Sequence, residues 1–390
     1  MTRVVVIGGG GGMAQPALRL LAGPGDLDLV VADVRRDAAE RAAESVGATA
    51  VGLDVRDASA LRDAIESADL VVNMAGPFFR FALPVLEAAI GVGTHYIDIC
   101  DDWEPIEAMF ALHDRAVAAG VTALIGMGAS PGLSNLLAAI AVRHLDHVVD
   151  LFTAWPVDVD LDGKRLAAAA SGEVGTSAAA VHWMQQISGS VMTVRAGELV
   201  ATTPLESISL DYPGRGHGNA CIVGHPEPIM LRRSLAPSGS SANLMVVTDG
   251  TGAFLDGLRR DIDRGELTVD AAAVELDRPS PTRIARAGLS SLRRRGPGKL
   301  PGFFALARGI RGGIPATAAA RLLTAPHGMA GITGIPLALA ARQLLAGTVT
   351  ERGVVGPESV LDPEALFEAL APHCEPSASR WTDVVRVDVG

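Results

Sequence analysis

The chain holds only three cysteines in 390 residues, Cys100, Cys221 and Cys374, and no Cys-x-x-Cys pair. That excludes a disulfide framework and zinc-type ligand spacing; it predicts a reducing, cytoplasmic setting and no metal site. Basic charge is also short. Lys and Arg total 33 against 44 Asp and Glu, a formal net charge of -11. Nucleic-acid binders carry basic surfaces, so a nucleic-acid partner is excluded. No signal-peptide pattern opens the chain, which enters an apolar strand from residue 3. One charge-free run, residues 116–142, is long enough to span a bilayer, but Gly126, Gly128, Pro131 and Gly132 interrupt it and Ser130, Ser134 and Asn135 are polar. It reads as a strand (121–127), a loop and a helix (134–144), with no membrane partner. Internal repeats are absent.

What is present is a core. Hydrophobic residues make up 48% and charged residues 20%, and the length suits two domains. The most informative stretch comes first: Val4-Val5-Val6-Ile7 runs into five glycines, Gly8 to Gly12, and then into helical spacing from Ala14. Strand, glycine turn and helix are the shape of a dinucleotide fingerprint. Glycine lets phosphate approach the backbone, and the helix start offers unpaired N–H groups. The register Gly9-x-Gly11-x-x-Ala14 is preferred because it puts a small residue at the last position. Gly9, Gly11, Gly12, Met13 and Ala14 are the expected phosphate contacts.

A second strand, 27–32, leads to Asp33, placed to take ribose hydroxyls at about the expected interval of roughly 20 residues after the glycines. Asp33 favours NAD; Arg35, followed by Arg36, offers a guanidinium to a 2′-phosphate, so NAD and NADP both stay open. Strand 48–53 leads to Asp54 and Val55 on the adenine side, with Asp57 as cap of the helix near Ala58. Strand 70–74 ends in Ala75-Gly76-Pro77, small enough to pass under the nicotinamide ribose. A fifth strand, 95–100, runs into Asp101, Asp102 and Trp103, and a sixth is 121–127. Strands alternating with helices predict an α/β fold with a doubly wound parallel sheet.

Beyond residue 128 the pattern changes. Gly128-Ala129-Ser130-Pro131-Gly132 is a second turn before a helix, where Ser130 and Ser134 can meet an anion such as a substrate carboxylate. Stretches 148–159, 190–210 and 244–247 read as strands of a largely antiparallel sheet, with a helix at 177–188. Residues 251–325 read as helical and Ala-rich, and the eight basic residues from Arg283 to Arg311 as a solvated face. An apolar helix follows at 329–345, then a turn and a short amphipathic helix at 353–370.

Taken together, residues 6–14, His95-Tyr96-Ile97-Asp98, Gly128 to Asn135, Gly224-His225-Pro226-Glu227-Pro228, Thr333-Gly334-Ile335-Pro336 and Gly353 to Glu358 resemble the saccharopine dehydrogenase superfamily, which includes carboxynorspermidine dehydrogenases. The resemblance implies a Rossmann-type nucleotide domain (1–130 and about 328–390) with an inserted α/β, mostly antiparallel domain for substrate and dimerisation (about 131–327). It implies an NAD(P)-dependent dehydrogenase or reductase, a homodimer, acting on a small amine- or amino-acid-like molecule. An amine and a carbonyl condense to an imine, which hydride reduces.

Such chemistry needs a proton manager, and Asp98, Asp101 and Asp102 cluster where the cofactor edge is expected, with Tyr96 and Cys100 behind them. It needs cations for substrate carboxylates, and Arg232 and Arg233 are preferred, with His217 and Arg215 as alternatives. Trp103 is the expected aromatic wall, and His225 reads as structural. The only lysines are Lys164 and Lys299; neither lies near the fifth strand, where the lysine-forming members carry one, which argues against saccharopine as substrate. Two other readings are an enoyl or carbonyl reductase, with an acyl channel along 300–307 and 318–323, and a non-catalytic NAD(P)-binding protein.

Overall fold

A β-branched run with no polar alternation belongs in a strand covered on both faces, and Val4, Val5 and Val6 are fully buried. In the computed structural model, which describes residues 1–166 and 178–390, this run is β1 (Thr2–Ile7). It is followed by β2 (Leu27–Asp33), β3 (Thr49–Gly52), β4 (Leu70–Asn73), β5 (His95–Asp98) and β6 (Thr122–Leu124). Then come β7 (His147–Pro156), β8 (Val191–Arg195), β9 (Glu198–Thr202), β10 (Ser207–Tyr212), β11 (Gly216–Ile222) and β12 (Ser241–Val246). The last four are β13 (Phe304–Arg311), β14 (Ile314–Leu322), β15 (Gly353–Val355) and β16 (Val385–Val389). The chain divides into two compact units, Met1–Leu136 with Thr324–Val384, and Leu137–Leu323 with Val385–Gly390.

The first unit is built on a seven-stranded sheet in the order β15-β6-β5-β4-β1-β2-β3, with every pair parallel. Parallel neighbours need crossovers, and helices Ala14–Ala22, Arg36–Val46, Ala58–Ile65 and Phe78–Val92 supply them. Asp57 caps the third of these by accepting from the Ser59 and Ala60 N–H groups, and Gly47 and Gly93 end the second and fourth in the left-handed conformation. The turns that follow β1, β2, β3, β4, β5 and β15 therefore collect at the carboxyl edge of the sheet, where ligands of doubly wound folds sit. Helix Gly328–Leu345 packs on the helix after the glycine turn; a Cβ on Gly334 would lie 2.9 Å from the Met13 carbonyl oxygen. This helix, rather than 116–142, is long and apolar enough by length and composition to cross a membrane, and 44% of it is buried.

The second unit carries a nine-stranded sheet with β10-β11-β12-β7-β13-β14-β16 as its path and the β8–β9 hairpin on β12. All its pairs are antiparallel except β7–β12. The second sheet corrects readings of the sequence. Residues 251–325 are helical only as far as Ser291, in helices Asp249–Asp263, Val269–Asp277 and Pro281–Ser291, and then form the β13–β14 hairpin. Alanine favours helix locally, but Gly312 and Gly313, at φ 57° and 80°, make a two-residue turn whose twist suits a hairpin. The residues offered as an acyl channel are core: Phe304 to Ala307 and Ala318 to Ala320 are fully buried in the middle of this sheet. A further correction is the tail. Val385–Val389 leaves the first unit and pairs antiparallel with β14, and β15 is a strand where a turn was expected. Part of the expected helix 177–188, Ser177, lies outside the described residues.

Candidate dinucleotide site

The glycine turn is held by its own backbone: the Gly8 and Gly9 N–H groups donate to the Ala32 carbonyl at 2.8 and 3.1 Å, and Gly11 N–H to the Gly8 carbonyl at 3.1 Å. Gly8 has φ 76°, and a Cβ there would stand 2.6 Å from the Ala75 nitrogen; on Gly10 it would stand 2.8 Å from both Asp33 Oδ2 and Ala38 Cβ. Gly9 is tight against Val31 Cγ1, while Gly12 faces open space. Close packing of the turn thus requires Gly8, Gly9 and Gly10; a Cβ on Gly11 would lie 3.3 Å from the Gly8 carbonyl oxygen, and Gly12 alone is open. Ala14 is fully buried where the helix meets the sheet, and Met13 stays 39% exposed. Sequence spacing had not singled out Gly8 and Gly10, because five identical residues carry no register.

Asp33, the last residue of β2, is held from two sides. Oδ2 accepts from Gly10 N–H at 3.1 Å and Oδ1 from Arg35 N–H at 2.9 Å. The Arg35 guanidinium, largely exposed, has Nε 3.7 Å from Asp33 Oδ1. After β3, Asp54 is clamped by Arg56, whose Nε and Nη2 donate to it at 2.9 and 2.6 Å, and this pairing holds its carboxyl down, at about 2. A cleft of about 400 Å³ joins these groups: Gly8, Gly11, Asp33, Val34, Arg35, Leu53, Asp54, Val55 and Arg56 line it, and Met74, Ala75, Gly76 and Phe81 close its other end. Pro77 directly follows, as the cap residue of helix Phe78–Val92. A cleft lined by a glycine turn, a carboxylate at the end of the second strand and small residues after the fourth fits a dinucleotide.

The far end is set by a buried relay. Asn73, the last residue of β4, accepts from Ala75 N–H at 3.1 Å and donates to Tyr96 Oη at 3.0 Å. Tyr96 Oη donates to Asp98 Oδ2 at 2.7 Å, and Asp98 Oδ1 accepts from Gly126 and Cys100 N–H at 2.7 and 3.1 Å. Asn73, Tyr96 and Asp98 are fully buried. Burial raises the Asp98 carboxyl to about 6, against the three donors that favour its charge; burial also pushes the Tyr96 hydroxyl and the Cys100 thiol up. Asn73 escaped the sequence reading because its role appears only when β4 and β5 lie side by side.

The other acids at this edge have separate tasks. Asp102 is 6% exposed and accepts from Phe79 N–H at 2.9 Å, just ahead of helix Trp103–Phe110. Asp101 and Trp103 are half-buried beside it. In the 128–135 turn Ser130 is half-buried, and Ser134 is fully buried with its hydroxyl donating to Asn135 Oδ1 at 3.2 Å. Asn135 in turn donates to Glu358 Oε2 at 2.8 Å. Glu358, which follows β15, was not among the expected site residues; the Gly353 to Glu358 motif was its only trace in the sequence.

In the second unit Arg232 Nε donates to the Gly197 carbonyl at 2.7 Å and its Nη2 to Glu198 at 2.6 Å, tying helix Glu227–Ser234 to the β8–β9 turn. Arg233 is exposed next to it. His217, on β11, is within hydrogen-bond reach of Ser209 and Asp211 at 3.0 and 3.1 Å. Arg215 donates to Asp162 Oδ1 at 2.6 Å and to the Lys299 carbonyl at 2.9 Å. Arg232, His217 and Arg215 thus hold different partners. His225 is 5% exposed, with its ring 5.5 Å from that of Trp155. Beside it Asn243 links Trp155, Thr153 and Glu227 through bonds of 2.9, 2.9 and 2.7 Å.

Residues 4–124 match the family model described as "Saccharopine dehydrogenase NADP binding domain". Among curated proteins, the chain is similar to carboxyaminopropylagmatine dehydrogenase of Synechocystis sp., 27% identical over 37% of this chain and 38% of that one. It is similar to the NADP(+), L-glutamate-forming saccharopine dehydrogenase of Saccharomyces cerevisiae, 30% identical over 38% of this chain and 31% of that one. It is also similar to carboxynorspermidine synthase of Vibrio cholerae, 24% identical over 41% of this chain and 39% of that one. Each match thus spans well under half of the relative's own length. Among solved structures, apo saccharopine dehydrogenase (L-Glu forming) from Saccharomyces cerevisiae aligns over 100% of both chains, with a TM-score of 0.64 and 15% identity, a likeness of fold. Residues 4–124 thus match a saccharopine dehydrogenase NADP-binding domain, and the full length shares the fold of saccharopine dehydrogenase.

Proposed function

We propose that the chain is an NAD(P)-dependent oxidoreductase that transfers hydride at a carbon–nitrogen bond. In one direction it reduces the imine formed from an amine or amino acid and a carbonyl; in the other it oxidises a secondary amine. The observation that carries this reading is the glycine-turn-to-Asp33 cleft within a domain of the saccharopine dehydrogenase kind. The relatives, named for saccharopine, carboxynorspermidine and carboxyaminopropylagmatine, support an amine- or amino-acid-like substrate.

When bound, the dinucleotide supplies a hydride at the nicotinamide ring. The chain's own residues do the rest. The backbone from Gly11 to Ala14 would hold the pyrophosphate, with Gly12 leaving room for its approach. Asp33 would accept from ribose hydroxyls, and Leu53, Asp54 and Val55 would border the adenine. Ala75, Gly76 and Pro77 form the floor at the reacting end, and the Asn73–Tyr96–Asp98 relay holds that floor. Asp98 has three donors and no exposed surface, so it acts as a positioning residue. Asp102 likewise positions the start of helix Phe78–Val92 through Phe79. Proton handling falls to Asp101, the half-buried acid of the cluster. Trp103, Ser130 and Ser134 are the proposed substrate contacts of the first unit, and Arg232, Arg233 and His217 the proposed carboxylate contacts of the second.

The reading extends to a homodimer in the cytoplasm, a setting supported by three cysteines that are all buried and unpaired. The test is a screen of amines and amino acids against keto acids and aldehydes with reduced nucleotide. Oxidation of the nucleotide that requires both partners is expected. Silence across the panel, together with turnover of an unsaturated acyl thioester, would move the chain to the enoyl reductase class; binding without any turnover would make it a non-catalytic NAD(P) protein.

A further inference from the structure

We propose that this cleft selects NAD(H) over NADP(H), and that Asp33 makes the choice. The inference rests on reading the cleft as a dinucleotide site.

The Asp33 carboxylate is part of the turn and not a movable side chain. It ends β2, which is paired on both sides by β1 and β3, and its side chain is 8% exposed. Gly10 and Arg35 N–H groups hold one oxygen each. The missing Cβ of Gly10 is what admits it, since that atom would stand 2.8 Å from Oδ2. A carboxylate has about four acceptor sites, so the two backbone bonds leave capacity for two further donors. Two ribose hydroxyls are such donors. A 2′-phosphate only accepts, and carries nearly two negative charges at neutral pH. Because the carboxylate is pinned, that phosphate cannot displace it and must sit against it.

Nearby cations do not offset this. Arg35 Nε lies 3.7 Å from Asp33 itself. Arg36 Nε donates to Glu40 at 2.9 Å, and Arg56 is doubly bonded to Asp54. Arg35, Arg36 and Arg56 each already face a carboxylate, so a dianion entering here meets a balanced surface with a fixed negative group at its centre. The presence of arginines after β2, which in sequence left the choice open, therefore reads as compensation for the carboxylates.

The experiment is calorimetric titration of the full-length chain with NADH, NADPH, ADP-ribose and 2′,5′-ADP, repeated on Asp33→Ser and on the near-isosteric Asp33→Asn, with circular dichroism as the check on folding. The wild type is expected to bind NADH at least about tenfold tighter than NADPH. That ratio should shrink as salt rises, because carboxylate–phosphate repulsion is screened. Asp33→Ser should invert the preference, with Arg35 freed to take the 2′-phosphate, and 2′,5′-ADP should gain affinity in parallel. Asp33→Asn should narrow the ratio by at least about threefold even if the serine variant fails to fold. Wild-type binding of NADPH as tight as NADH, or a ratio unmoved in both variants, overturns the inference while leaving the dinucleotide reading intact. Failure of both dinucleotides to bind overturns the dinucleotide reading and the inference with it.

Discussion

Asp33, Asn73 and Asp98 are each the last residue of a parallel strand, and each bonds to the backbone of a loop: Gly10 and Arg35, Ala75, and Cys100 with Gly126. In the second unit one buried polar network sits mid-strand. Thr153 on β7 and Asn243 on β12 are direct neighbours in the register, and they bond side chain to side chain with Trp155 and Glu227. Strand-end polar residues shape the loops that surround a ligand; mid-strand ones knit the sheet. The strand-end trio of the first unit therefore shapes a cleft, and the Thr153–Asn243 network of the second knits a sheet. Buried networks of either kind are costly to break, but only the first kind should carry that cost into nucleotide binding.

The largest test of this contrast is Gly8→Val. Its Cβ meets backbone at 2.6 Å at a positive φ, so we expect a loss of about 2–4 kcal/mol in unfolding free energy and no measurable nucleotide binding. Gly12→Ala sharpens the point: with open space around it, thermal stability should hold while NADH affinity falls by about tenfold, and unchanged affinity would remove the pyrophosphate from this turn. Next is Asn243→Ala, which takes a hydrogen bond from Trp155, Thr153 and Glu227 and should cost about 3 kcal/mol in a urea melt. NADH affinity should stay within about twofold; a large loss would erase the distinction between the units.

Asp98→Asn probes the relay through pH. The native carboxyl titrates near 6 against an ordinary 3.8, so the folded state binds the extra proton between those values. Stability from this group is full below pH 4 and is lost as pH rises through 6, by about 2–3 kcal/mol. The asparagine variant should flatten that slope and raise the nucleotide's dissociation constant modestly through the Ala75 loop; an unaltered slope would show that Asp98 does not titrate there. The smallest effect is expected for Arg232→Ala. Its pair with Glu198 is on the surface, so stability should drop by under about 1 kcal/mol. A tenfold rise in substrate KM would instead give Arg232 a ligand role that its present bonds do not suggest.

The legible part of the sequence was the part whose meaning is local. An apolar run, a glycine turn, a helix start and an acid at the next strand end lie within one short βαβ stretch, so the wall from the glycine turn to Asp33 can be drawn from residues 4–35 alone. Asp57 as a helix cap is legible for the same reason. Asn73 and Glu358 were not, because their partners Tyr96 and Asn135 are brought to them by strand order. The β13–β14 hairpin was hidden by alanine: Ala316, Ala318, Ala319 and Ala320 favour helix in isolation, and burial between β13 and β16 overrides that preference. Gly312-Gly313 was the missed sign. The tail strand carries only Val385, Val387 and Val389 as its pattern, too short to announce a partner of distant sequence number.

The central claim is that the glycine turn and Asp33 hold a dinucleotide. Calorimetric titration of the full-length chain with NADH, beside the Gly8→Val variant checked for folding, tests it most directly. The account expects saturable binding of one nucleotide per chain, competed by ADP-ribose and absent from the folded variant. Wild-type protein that binds neither NADH nor NADPH, or a folded Gly8→Val that binds as well as wild type, would contradict it.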